Sequence, residues 1–124
     1  GRISVRGQMG KNKIHYTAES RRDLDEIWDY IASDLQNTSA AERIVNRIMD
    51  DVDQLENHAE LGAPLSSIAD VESGYRFLVT GSYLTFYRVH GSDIYVDRVL
   101  YGRRDYLRVL FGDAKDEANP EQPM

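Results

Sequence analysis

At 124 residues with 41% apolar content, the chain is sized for one small domain around one core. The lack of cysteine excludes a disulfide framework, thiol catalysis and the thiolate ligands that most structural zinc sites use. A formal charge of −6 argues against broad attraction to nucleic acid, so contact with RNA or DNA would need a local basic patch.

Residues 1–12 read as an N-terminal extension, because a polar Gly10-Lys11-Asn12 precedes the first apolar residues and the opening stretch lacks the apolar middle of a signal peptide. No run is long and apolar enough to suggest a membrane span, and a cytoplasmic protein is expected. Residues 13–16 predict a short first strand, followed by the helix-start residues Thr17 and Ser20. From 21 to 35, Leu24, Ile27, Trp28, Ile31 and Leu35 recur at spacings of three and four, which predicts an amphipathic helix. After a polar break, Ser39-Ala40-Ala41-Glu42 has the form of a capping box. The helix it opens would bury Ala41, Val45, Ile48, Val52 and Leu55, with Ile44 and Met49 widening the stripe. So short a connection predicts an antiparallel helix hairpin.

Residues 61–73, with Gly62 and Pro64, read as a connecting loop. Gly81-Ser82 and Gly91-Ser92 each separate strand-like runs, as two-residue hairpins with glycine at the positive-φ position require. The expectation is a three-stranded antiparallel meander. If both turns are tight and no bulge intervenes, Arg76, Leu78, Thr85, Tyr87, Ile94, Val96 and Arg98 share one face. Phe77, Leu84, Phe86, Arg88, Tyr95, Val99 and Tyr101 share the other. Both faces are apolar, so one should meet the helices and the other a cover from outside the domain. Residues 103–111 predict a short closing helix with Tyr106, Val109 and Leu110 on one side, and 112–124 read as an acidic disordered tail. The fold class is α+β.

Charge divides unevenly along this plan. Residues 19–58 carry eleven acids against four arginines, whereas residues 74–111 carry six arginines against three aspartates. Those six, Arg76, Arg88, Arg98, Arg103, Arg104 and Arg108, alternate with tyrosines that include Tyr101 and Tyr106. They are the candidates for binding an anionic or protein partner. For Arg98 the alternative is an internal pair with a helix carboxylate. His15, His58 and His90 are too dispersed for metal-ligand spacing, and Asp50, Asp51 and Asp53 point in different directions on a helix. Neither metal nor cofactor is expected.

Gly81-Ser82-Tyr83, Phe86-Tyr87-Arg88, Arg98-Val99-Leu100 and Gly102-Arg103-Arg104-Asp105, in this order behind a helix pair, resemble the ParE branch of the RelE/ParE superfamily of bacterial toxin–antitoxin toxins. The resemblance spans residues 13–111 and implies a growth-inhibiting toxin neutralised by a cognate antitoxin, with DNA gyrase as the target. It implies as the alternative a ribosome-dependent mRNA endonuclease, whose site here would comprise Arg76, Arg104, Tyr83 and Tyr87. A third outcome is a toxin fold that only binds its antitoxin. Two departures bear on the choice. The family's usual histidine-glycine ending is Tyr101-Gly102, and Leu78 and Leu84 stand where the mRNA-cleaving members place cations that stabilise the pentacoordinate phosphate. An antitoxin with charge complementary to the arginines is expected.

Overall fold

Thr17 opens the first helix: its hydroxyl oxygen accepts the Ser20 amide at 3.2 Å, satisfying one of the donors a helix start leaves free. In this computed structural model, which describes residues 11–69, 73–102 and 106–112, helix α1 spans Ala18–Asp29 and buries Leu24 and Ile27. The regular helix expected to continue to Leu35 instead widens into a π-helical segment, Tyr30–Asp34, in which the Leu35 amide reaches back to the Tyr30 carbonyl at 3.1 Å. Ile31 stays buried through the wide turn, while Tyr30 and Leu35 are left exposed.

Helix α2, Thr38–Asp53, starts two residues earlier than a cap at Ser39 would place it, and the expected capping box does not form. Asn37 is the cap, its side-chain carbonyl accepting the Ala40 amide at 3.0 Å, and Ser39 lies inside the first turn. Gln36, held in the left-handed region at φ 53°, reverses the chain so that Asn37 arrives in front of the helix. Ala41, Ile48 and Val52 are buried as predicted, and Leu55 follows in a single 3-10 turn; Val45 is half-buried and Met49 exposed.

The strands are β1 (Lys13–Tyr16), β2 (Ala63–Pro64), β3 (Arg76–Thr80), β4 (Tyr83–His90) and β5 (Asp93–Tyr101), in the order β1-β5-β4-β3-β2. The predicted meander is β3-β4-β5, with Gly81 at φ 58° and Gly91 at φ 60° opening its two turns. Two additions make five strands. β1 pairs in parallel with β5, and the expected loop contributes the two-residue edge strand β2, antiparallel to β3.

Two expectations about the sheet faces are corrected. β4 and β5 slip register between Phe86 and Tyr87, because Phe86 pairs with Arg98 but Tyr87 with Val96, leaving Asp97 as the extra residue. That bulge puts Val99 and Tyr101, and not Arg98, in line with Val96, and Leu78, Tyr87, Ile94, Val96 and Val99 pack against both helices. The second face is covered from within the chain. Leu65 and a short helix α3, Tyr106–Phe111, close over Phe77, Leu84, Phe86 and Leu100. Residues 103–105 of the expected closing helix, and the extension and tail, lie outside the described residues.

Candidate functional site

A guanidinium engaged in planar, bidentate hydrogen bonds inside the protein is poorly placed to hold a substrate, so the partners of each arginine matter. Arg76, on β3, donates to the Gly62 carbonyl and pins edge strand β2. Arg88, on β4, forks onto Asp97 through Nε and through Nη2 at 3.1 Å. The bulge supplies that partner. Asp97 also accepts the Tyr75 hydroxyl at 2.8 Å, and its backbone carbonyl accepts Thr17 Oγ1 at 3.1 Å. Burial first, and then the bond to Asp97, push the Tyr75 hydroxyl up to about 12.

Arg98 takes the helix carboxylate that the sequence offered as one alternative. Its Nε and Nη2 lie 2.7 and 2.9 Å from buried Asp23, whose Oδ2 also accepts the Val99 amide at 2.9 Å. The carboxylate holds the guanidinium in its charged form, raising it above the ordinary arginine value. Arg103 and Arg104 lie outside the described residues. Arg108, on α3, is exposed and Tyr106 packs against Phe86 at 5.5 Å between ring centroids.

The tyrosines divide in the same way. Tyr87 is fully buried; its hydroxyl accepts the Gly62 amide at 2.9 Å and donates to the Ala59 carbonyl at 2.8 Å. Burial raises it above the ordinary tyrosine value. Gly62 is obligatory beside it, because a Cβ there would lie 2.6 Å from the Phe77 carbonyl and 2.8 Å from the Tyr87 ring. Tyr83 is half-buried against the helix-side core. Together with Tyr101, met edge-on at 5.8 Å, it forms the sheet wall of a groove of about 360 Å3. Val99 and Leu100 line that wall too, and the opposite one is formed by Asp23, Glu26 and Ile27 of α1 with Tyr30 of the π segment. The groove therefore gathers two expected residues, Tyr83 and Tyr101, with two that sequence reasoning passed over, Glu26 and Tyr30. A helix residue at the start of a π turn carries no sequence signal that would have marked it.

A second cluster also escaped notice. The parallel pairing of β1 with β5 sets His15 beside Tyr95, the rings stacked at 4.9 Å, and His15 Nε2 lies 2.9 Å from Asp93 Oδ1. The Arg88 guanidinium stands 5.3 Å from the Tyr95 ring centroid, and His90 meets that ring edge-on at 5.9 Å. Among the described residues no group of three or more histidines and acids could hold a metal ion.

A helix hairpin over a mixed sheet, with an aromatic groove and internally paired arginines, is a fold that can be compared with known proteins. The model of the ParE toxin of the type II toxin–antitoxin system parDE matches residues 14–106. The chain belongs to the ParE toxin family. Among solved structures, this ParE-family toxin is similar to a protein of the chromosomal ParDE toxin–antitoxin system from P. aeruginosa. The two are 26% identical, with 74% of this chain and 97% of that one covered at a TM-score of 0.62. It is also similar to a YoeB/ParE toxin from Agrobacterium tumefaciens, at 27% identity over 72% of this chain and 96% of that one and a TM-score of 0.50. The toxin–antitoxin complex RelBE2 from Mycobacterium tuberculosis shares the fold at 19% identity and a TM-score of 0.53, over 73% of this chain and 90% of that one. No curated relative matches the sequence. No helix among the described residues is long and apolar enough to cross a membrane.

Proposed function

We propose that this toxin inhibits growth by docking on DNA gyrase, acting through binding and not through RNA cleavage, and that an antitoxin of the same module holds it inactive in the cytoplasm. The observation that carries the choice is the engagement of the strand arginines. RNA cleavage by 2′-OH attack needs cations free to meet the developing charge on the phosphate and a group able to take a proton. Here Arg76 holds the Gly62 carbonyl, Arg88 holds Asp97 and Arg98 holds Asp23. Tyr87 is buried with both hydrogen-bonding directions used, and Leu78 and Leu84 supply no charge. The antitoxin partner is supported by kinship with the P. aeruginosa protein, which belongs to a ParDE system.

Purified toxin at molar excess is expected to block supercoiling by purified gyrase, and its expression without antitoxin to arrest growth with a DNA-damage response. Supercoiling left untouched would overturn the gyrase reading. Codon-positioned cuts in translated transcripts that vanish in Arg104→Ala would replace it with RNA cleavage. Harmless overexpression would leave a toxin fold that only binds its antitoxin.

A further inference from the structure

Asp23 opens on the groove between α1 and the ends of β4 and β5, but its charge is spent on Arg98 and the Val99 amide. Glu26 lies three residues further along the same helix. It is exposed, and no hydrogen-bonding partner holds it among the described residues; Arg22, one turn back, is exposed as well and forms no ion pair with it. Around Glu26 stand three phenol rings. Tyr83 and Tyr101 meet edge-on across the strands, and Tyr30, 53% exposed, is presented by the π turn next to buried Ile31.

The groove selects its occupant by charge. An anionic group would face Glu26 and the acid-rich helix hairpin. An aliphatic side chain would cover the Glu26 carboxylate without pairing it, which is costly. A guanidinium or ammonium group satisfies both features at once, pairing with the carboxylate and lying against aromatic faces, and the planar guanidinium does so best.

We propose that the groove is an anchor site for a basic side chain, most favourably arginine, from a segment of the partner protein that holds this toxin. This rests on the antitoxin reading above and reverses the charge expected from sequence. Arg98 feels the Glu26 charge but donates its hydrogen bonds to Asp23, which leaves the Glu26 carboxylate open to a cation entering the groove.

The test uses the full-length protein encoded by the reading frame next to the toxin's own, immobilised, with dissociation rates measured for wild-type toxin, Glu26→Gln and Tyr30→Leu. Both substitutions alter exposed side chains and are expected to leave the melting temperature unchanged while speeding dissociation about tenfold each. Changing the partner's arginines and lysines singly to methionine should reveal one whose loss speeds dissociation from wild-type toxin but adds little to Glu26→Gln, the signature of a coupled pair. If the partner binds and neither groove substitution alters its dissociation, the anchor is wrong and the antitoxin reading stands. Slower dissociation from Glu26→Gln would mean an apolar occupant and would also overturn it. Self-association of the toxin abolished by Glu26→Gln would give the groove to a second copy instead. If that protein does not bind wild-type toxin at all, the antitoxin reading falls and the anchor falls with it.

Discussion

Asp23 is a buried carboxylate whose partners lie on another element of the fold. One carboxylate of a helix residue, 5% exposed, accepts two bonds from Arg98 and one from the Val99 amide, and so ties α1 to the last strand beyond the point where β1 stops pairing. The pair itself adds modest net stability, because both ions lose water to form it. Removing one member is another matter, since it strands the other along with a buried amide. Asp23→Ala is expected to lower unfolding free energy by about 3–5 kcal/mol, measured by urea denaturation. Glu26→Ala, an exposed change on the same helix, should stay within about 0.5 kcal/mol of wild type. A loss below about 1 kcal/mol at Asp23 would show that Arg98 swings out to solvent at little cost. That result would also return Arg98 to the pool of cations open to a partner.

The helices and the meander were legible because each is written in local pattern: spacings of three and four in α1 and α2, and Gly-Ser pairs at the two turns. What escaped depends on partners distant in sequence. Nothing in Lys13–Tyr16 says that it joins β5 in parallel, so the His15–Tyr95 stack was invisible. The register slip at Phe86 is set by how Asp97 satisfies Tyr75 and Arg88, and without it the faces of Arg98, Val99 and Tyr101 come out reversed. The cover on the second face comes from six residues of α3, too few to form a helix alone and held by packing on Phe86 and Leu100. For the α2 cap the competition was local, between Asn37 and Ser39, and it is decided by the left-handed Gln36. Asn37→Ala is therefore expected to cost about 1 kcal/mol by thermal or urea unfolding, while Ser39→Ala changes little. The reverse order would restore the capping box and contradict the observed Asn37–Ala40 bond.

At the scale of the whole molecule, the sheet separates two apolar clusters, and each contains a tyrosine whose neutral form the fold favours. Tyr16 packs against the helix-side cluster and Tyr75 against the one beneath α3. Tyr16 is pushed up to about 12 by burial and then by Asp53, and its buried hydroxyl has no hydrogen-bonding partner among the described residues. Tyr75 is pushed up to about 12 by burial and then by its bond to Asp97. Both therefore titrate later in the folded chain than their ordinary value of 10.0. The stability they contribute is fully present below about pH 10 and is lost as pH rises towards about 12, because the unfolded chain releases those protons first. Unfolding free energy should fall steadily across that window, with both clusters loosening in one transition. Tyr75→Phe has no proton to release there, so its stability should fall less steeply than that of wild type while Tyr16 still titrates. Urea denaturation at a series of alkaline pH values checks both slopes. A flat profile in wild type would overturn both contributions, whereas an identical slope in Tyr75→Phe would show that the Tyr75–Asp97–Arg88 link opens before its proton leaves, and that the bulge does not hold the two clusters together under alkali.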